Sequence, residues 1–260
     1  MAWLVLTLLG CREVIPPKVE IPRRSPHQAW ERTLSRVVDD AGNVNYARLA
    51  RERQALDNYV AWVSRPSHGR LNGAPAHAFN LNAFTALALY QVLERDIQSS
   101  VTEVPSWLPG RGAGFWYSTA FIVGGRELSL WDVGHEKLTH AFQDYRDFLV
   151  IPVMARSGPP VRAKLYTTDG LGGQLEDQAQ AFMMSDRGLT FDGDKPLFNA
   201  VFKRYDFEFD LYTHGTDLCT LASHHTRGPR KRKLLEAAEQ GCDHGYMPFN
   251  WTLNQSGGTP

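Results

Sequence analysis

The chain has 260 residues, of which 43% are hydrophobic and 22% are charged, a composition typical of a globular protein that can bury one large core. Its 28 Lys and Arg residues equal its 28 Asp and Glu residues. A net charge of zero supplies no overall field that would attract a polyanion. We therefore expect no nucleic-acid partner and no purely electrostatic binding to an anionic membrane.

The first eleven residues have the pattern of a lipoprotein signal. An apolar run, Ala2 to Leu9, is followed directly by Gly10 and Cys11. Such a signal needs an apolar segment and a small residue before a cysteine whose sulfur accepts diacylglycerol. The run lacks a cationic lead and is too short to span a bilayer, so we expect residues 1–11 to be a signal truncated at its start. The alternative is a buried N-terminal strand or helix with a free cysteine.

Lipidation at Cys11 would anchor the mature chain to a membrane on the extracytoplasmic side, in the periplasm or on the outer surface of a bacterial cell. Residues 12–26 contain four prolines and alternating charges, which predicts an extended tether. A single globular domain is expected over 27–254, with a flexible tail at 255–260. In an oxidising space the remaining pair, Cys219 and Cys242, invites a disulfide; two unrelated buried thiols are the alternative.

The first half of the domain is predicted to be mostly helical. Apolar residues recur at helical spacing over 27–38, 46–63 and 79–93. The third of these segments is apolar on almost every side, which indicates a central helix buried all round. The glycine-rich loop Gly110 to Gly114 lacks the strand and helix that frame a nucleotide site, so phosphate binding is not expected.

A tight hairpin is predicted around Gly124-Gly125, because this pair supplies the positive φ angles of a two-residue turn. Asp132 is then expected to cap a helix that ends at Phe142. A β-rich run from Phe148 to Met154 leads into a stiff loop, Ser157 to Pro160. A helix is predicted over 171–184 and a second hairpin over 189–198. The basic run Arg227–Lys233 is interpreted as a loop and a solvated first helical turn, and a last helix is expected over 233–239.

Helices and hairpins mix without a regular strand-helix repeat, which predicts an α+β fold with helices packed around a small, mostly antiparallel sheet. Four blocks then resemble, in order, those of the domain of unknown function 547 (DUF547) family, a family without agreed chemistry. The matching segments are Phe79–Phe84 (FNLNAF), Val123–His135 (VGG and SLWDVGH), Val201–Tyr205 (VFKRY) and Pro248–Asn254 (PFNWTLN).

The departures from the family pattern bear directly on chemistry. Where the family has C-A-S-x-S-C-P, this chain has Val153 and Gly158 at the two cysteine positions. Thr85 replaces the second asparagine of N-A-Y-N, and Asn250 replaces the aspartate of D-W-S-L-N. A family with a catalytic thiol would thus have lost its nucleophile here.

A cysteine, a histidine and an asparagine or aspartate along an α+β chain would suit a cysteine-protease-like or transglutaminase-like hydrolase. A nucleophile needs an imidazole base, and the base needs a group that orients it. The candidates here are His135 as base, Asn250 or Asn82 as orienting group and Ser157 as nucleophile, in a peptidase or amidase. Because a serine alkoxide is much harder to form than a thiolate, this hydrolase is the alternative hypothesis.

The favoured hypothesis is a noncatalytic binding or accessory protein, a pseudoenzyme that uses the degenerate cleft for a small-molecule, peptide or protein ligand. Asn82 would then be a buried amide that ties its helix to a loop. No cofactor or metal is expected: adjacent His224 and His225 point apart, and His135 and His140, five residues apart, should not share a helix face.

The aromatic residues offer a test of the binding hypothesis. Most are expected in the core, where aromatics dominate burial energetics. An exposed pair from Phe115-Trp116-Tyr117 beside a concave site would favour a ligand groove, and full burial would weaken it. Three further tryptophans could line such a groove: Trp107, Trp131 and Trp251.

Overall fold

The computed structural model describes residues 12–257. The predicted signal, including Cys11, and the end of the predicted tail lie outside the described residues. Within 12–257, no helix has both the length and the apolarity needed to cross a membrane.

Helices dominate the fold and alternate with two small sheets. The α-helices are α1 His27–Val37, α2 Tyr46–Arg51, α3 Gln54–Val63, α4 Gly73–Glu94, α5 Ala113–Tyr117, α6 His140–Phe142, α7 Asp147–Val150, α8 Leu171–Met184, α9 Ala200–Arg204, α10 Asp206–Tyr212, α11 Leu218–His224 and α12 Gly228–Glu239. A π-helix spans Asp132–Thr139, and 3-10 helices span Pro66–Arg70 and Val101–Glu103. The strands are β1 Glu13–Ile15, β2 Thr119–Val123, β3 Arg126–Ser129, β4 Leu189–Asp192, β5 Lys195–Phe198 and β6 Gly245–Tyr246.

Each sheet has three strands: two form an antiparallel hairpin, and the third pairs in parallel with one strand of that hairpin. The first has the order β1-β2-β3, in which β2 and β3 are antiparallel and β1 joins β2 in parallel. The second has the order β4-β5-β6 and repeats this arrangement. The α+β prediction is confirmed, although two mixed sheets take the place of the single, mostly antiparallel one.

Helix α4 lies at the centre of the core, as its apolar pattern predicts. It packs against α3 on one side and the π-helix on the other. Leu87, Leu89 and Tyr90 are all fully buried, which requires apolar partners around the whole helix. One contiguous apolar cluster extends from Trp30 to Leu253 and links both sheets to α4.

The first hairpin forms where the sequence predicts it. Gly124 and Gly125 have φ angles of 58° and 81°, which a type I′ turn requires at both central residues. The helical backbone that follows begins before Asp132, ahead of the π-helix, because Ser129 rather than Asp132 caps it. The Ser129 hydroxyl accepts a hydrogen bond from the Asp132 backbone N–H, and the Asp132 carboxylate accepts one from the Ser129 backbone N–H.

Two predicted elements are wrong in detail. Residues 46–63 form two helices, because α2 ends beside Glu52, whose carboxylate binds Arg36 and Arg48. The expected β-rich run 148–154 instead begins with the helical turn α7. The buried contact of Asp147 with His77 holds this turn and overrides the local β-propensity.

The segment 12–26 is extended as predicted, but it is not a free tether. β1 pairs with β2 in the first sheet, and Lys18 forms an ion pair with Glu94 of α4. The predicted tail is also partly docked, since Gln255 bridges to Val44. The disulfide that the sequence allowed is present between Cys219 and Cys242, where it joins α11 to the chain after α12.

Candidate functional site

A groove with seven Trp, Tyr and Phe side chains in its walls lies beside the π-helix, and we call it the aromatic groove. Its inner chamber has a volume of about 50 Å³ and its outer chamber one of about 310 Å³, a size within the range of small-molecule sites. Both chambers share five lining residues: Trp116, Val153, Val201, Tyr205 and Phe249.

The π-helix forms one wall of the inner chamber. The His140 backbone N–H donates to the His135 carbonyl, an i+5 bond that widens the helix. This geometry places His135 and His140 on neighbouring turns, with ring centroids 6.0 Å apart. The expectation that they would not align on one face is wrong, because it assumed an α-helix. π-Helical turns occur frequently at functional sites.

His135 faces the inner chamber. Its ring stacks on Trp131, with centroids 4.4 Å apart and an interplanar angle of 12°. Trp131 in turn packs against Tyr117 at 4.9 Å. Among residues 12–257, no side chain or backbone group forms a hydrogen bond with the His135 ring. The imidazole is therefore positioned by stacking alone.

The loop that would carry the family cysteines borders the same chamber. Val153 and Pro159 line it together with His135. A Cβ atom at Gly158 would lie 2.4 Å from Cγ2 of Val153, so side chains at the two positions would face one another. The structure thus brings His135 and the 153–159 loop together.

Ser157 and Asn250 contact each other rather than His135. The Ser157 hydroxyl accepts a hydrogen bond of 2.8 Å from the Asn250 backbone N–H. Asn250 has an exposed side chain whose Oδ1 accepts from the Thr252 backbone N–H at 3.0 Å. Neither residue lines the groove, and within the described chain no hydrogen bond links either of them to His135.

Asn82 is a structural amide. Its Nδ2 donates to the Tyr166 carbonyl at 2.9 Å, and its Oδ1 accepts from the Tyr166 backbone N–H at 2.8 Å. The side chain is 5% exposed. Both polar atoms of the amide are committed to the backbone of one loop residue, which matches the structural interpretation of this residue.

The aromatic residues at 115–117 fall between the exposed pair that would favour binding and the full burial that would weaken it. Phe115 is fully buried, whereas Trp116 and Tyr117 are half-buried and line the outer chamber. Trp131 and Trp251 are also half-buried groove residues. Trp107 is the exception, with 69% of its surface exposed.

The glycine-rich loop forms the rim of the outer chamber. Gly110, Arg111 and Ala113 line it, and a Cβ at Gly112 would lie 2.7 Å from the Trp251 ring. The glycine there allows close approach to an aromatic ring, not to a phosphate. Sequence reasoning noticed the loop but missed its role, because only the fold places Trp251 against it.

Two arginines project into the outer chamber, Arg111 from this loop and Arg204 from the end of α9. Burial raises the pKa of Tyr117, and the positive charge of nearby Arg204 opposes the shift. Neither arginine was a candidate from the sequence, since no motif surrounds it.

Two buried polar clusters lie apart from the groove and were also missed. His77 binds Asp147 at 2.8 Å, and burial raises the pKa of this carboxyl while His77 opposes the shift. His225 is 1% exposed and joins the Tyr145 hydroxyl to Glu176. In both clusters the histidine has a fixed partner, which the His135 ring lacks.

One group within the described residues has potential metal-ligand atoms close together: Asp217, Cys219 and Cys242, all within 4.8 Å. Both sulfurs are in the disulfide and are not available as thiolates, which are the form that binds metals. Comparisons with protein-family models, with curated proteins and with solved structures find no match to this chain. The geometry of the groove therefore carries the functional interpretation.

Proposed function

We propose that this chain is a lipid-anchored extracytoplasmic protein of the DUF547 type that binds a ligand in the aromatic groove without catalysing a reaction. The observation that carries the proposal is the pair Trp116 and Tyr117, half-buried beside a concave site. Half-buried rings in a groove offer flat apolar surface to a ligand, whereas core rings are already covered.

The hydrogen bonds around His135 favour binding over catalysis. A histidine base needs a nucleophile within reach and a partner that fixes its tautomer. The ring stacks on Trp131 instead, and the Ser157 hydroxyl is engaged by the Asn250 backbone. Val153, at a family cysteine position, offers the chamber only methyl groups.

The compartment and the family are supported mainly by the sequence. The run that ends at Gly10-Cys11 has the pattern of a lipidation signal. The disulfide between Cys219 and Cys242 is consistent with an oxidising compartment. The four ordered sequence blocks support the family, and three of them, at 123–135, 201–205 and 248–254, contribute walls of the groove.

One observation favours the hydrolase as a second candidate: His135 shares its chamber with the loop 153–159. Catalysis would require Ser157 to release the Asn250 backbone N–H and turn toward the imidazole. A fluorophosphonate probe, which reacts with activated serines, distinguishes the two functions. The binding proposal predicts no labelling of Ser157; labelling that His135→Ala abolishes would establish the hydrolase instead.

Binding in the groove is tested with 2-naphthylacetamide, a neutral aromatic probe, titrated calorimetrically into the purified full chain. We expect measurable binding that Val201→Trp abolishes, because Val201 lines both chambers and the indole would block the region that they share. Leu235→Trp, at an exposed position of α12, is the matched control and should bind like the unmodified chain. Equal binding by the Val201 variant, or no binding by the unmodified chain, would refute the proposed groove.

A further inference from the structure

The charges that line the aromatic groove have one sign, although the protein as a whole is neutral. Arg111 and Arg204 both face the outer chamber. Across the described lining of both chambers, no residue is aspartate or glutamate. A cleft with charges of one sign and apolar walls concentrates ligands of the opposite sign.

Both guanidinium groups are available to a ligand. In the described part of the chain, neither Arg111 nor Arg204 forms an ion pair with a carboxylate. Arg204 instead lies over the ring of Tyr205, 5.7 Å from its centroid, a contact that orients the guanidinium beside the groove. Arginine presents a planar set of donors that matches a carboxylate.

The remaining lining argues against a sugar as the ligand. Sugar hydroxyls are recognised by convergent side-chain donors and acceptors, since an unpaired buried hydroxyl is costly. Among the described lining residues there is no asparagine or glutamine, in addition to the missing carboxylates. Apart from His135, Thr139 and the two arginines, the lining side chains are Trp, Tyr, Phe, Val, Ile, Pro and Ala, which suit an apolar body.

We infer that the aromatic groove binds a small amphipathic carboxylate, with its apolar or aromatic body against Trp116 and Phe249 and its carboxylate toward Arg111 and Arg204. The outer chamber of about 310 Å³ accommodates a small molecule of this kind. This inference rests on the proposed binding function and specifies the chemistry of its ligand.

The experiment compares 2-naphthylacetate with 2-naphthylacetamide, which has the same body but no charge, by calorimetric titration of the purified full chain at neutral pH. We expect the acid to bind about tenfold or more tightly than the amide, because hydrogen bonds to charged groups are the stronger ones. Added NaCl should reduce this preference by screening the arginines.

The double variant Arg111→Gln/Arg204→Gln should remove the preference, so that the acid binds no more tightly than the amide. Arg232→Gln, which removes an exposed cation of α12 outside the groove, is the matched control and should retain the preference. A preference that survives in the double variant would overturn the assignment of the two arginines.

The remaining outcomes separate this inference from the proposed function. If both probes bind equally and Val201→Trp abolishes both, the groove binds ligands but the inference about charge is wrong. If neither probe binds, both proposals fail.

Discussion

Asn82 and His135 illustrate at the scale of single residues how hydrogen bonding separates structural from functional candidates. Both polar atoms of the Asn82 side chain form hydrogen bonds with the backbone of Tyr166, so replacing Asn82 is expected to affect folding. His135 has a stacking partner in Trp131 but no hydrogen-bonded one among the described residues. The ring nitrogens of His135 can therefore still form hydrogen bonds with a ligand in the groove.

Asn82→Ala is expected to lower the free energy of unfolding by about 3 kcal/mol, because it leaves the buried N–H and carbonyl of Tyr166 without partners. Urea denaturation measures this loss. Asn72→Ala, at an exposed helix end where the side chain makes no capping bond, is the control and should change stability by less than about 0.5 kcal/mol. A stable Asn82 variant that loses only ligand binding would show that Asn82 acts in the groove.

At the scale of elements, short capped turns position the walls of the groove. The 3-10 helix Val101–Glu103 begins with a capping box between Ser100 and Glu103. The Ser100 hydroxyl also donates to the Trp251 carbonyl at 2.9 Å, which ties this turn to a groove residue. The π-helix forms the other wall, where His135 and Thr139 both line the inner chamber.

The capping carboxylate should make stability depend on pH. Partial burial alone would raise the pKa of Glu103, but hydrogen bonds from Ser99, Gln98 and Ser100 outweigh it and lower the pKa from 4.5 to about 2. Because the pKa is lower in the folded state, the contribution to stability is full above pH 4.5 and is lost as the pH falls toward 2.

Glu103→Gln removes this titration. We therefore expect the unmodified chain to be more stable than the variant at neutral pH, with a difference that closes as the pH falls from 4.5 toward 2. Denaturant unfolding across this range measures it. Glu239→Gln, at the exposed end of α12, should show no such convergence. A stability difference between the unmodified chain and Glu103→Gln that does not change with pH would mean that the charge of the carboxylate does not stabilise the cap.

At the scale of the whole molecule, the docked N-terminal segment changes how an anchored domain would sit. Arg12 forms an ion pair with Asp132 at the start of the π-helix, and β1 follows immediately as an edge strand of the first sheet. A lipid on Cys11 would thus be separated from the folded domain by one residue rather than by a tether of fifteen. The proposed anchor would hold the domain close to the bilayer surface.

Cys11→Ser is expected to move the protein, expressed in a bacterial host, from the membrane fraction to the soluble fraction, because it removes the sulfur that would carry the lipid. Fractionation followed by intact-mass analysis tests this. The double variant Cys219→Ser/Cys242→Ser keeps Cys11 and should remain with the membrane, although loss of the disulfide should destabilise it by about 2–4 kcal/mol. An unlipidated protein in the soluble fraction without any substitution would contradict the proposed anchor.

The sequence by itself determined the α+β class, the buried central helix, both hairpins and the extended course of 12–26, because apolar periodicity and glycine turns are local signals. The disulfide between Cys219 and Cys242 was one of two alternatives that the sequence left open. Of the four candidate site residues, His135, Ser157, Asn250 and Asn82, only His135 lines the groove. The Ser157 hydroxyl binds the Asn250 backbone instead.

Only the tertiary structure decided the groove itself. Arg111 lies just before α5 and Tyr117 ends it, Arg204 ends α9 and Trp251 follows β6, so these three parts of the chain meet only in the folded structure. The π-helix is equally invisible to local patterns, since an i+5 bond depends on what the widened turn packs against. Side chains with no motif around them become a site only through long-range packing, and a single sequence carries no local record of those contacts.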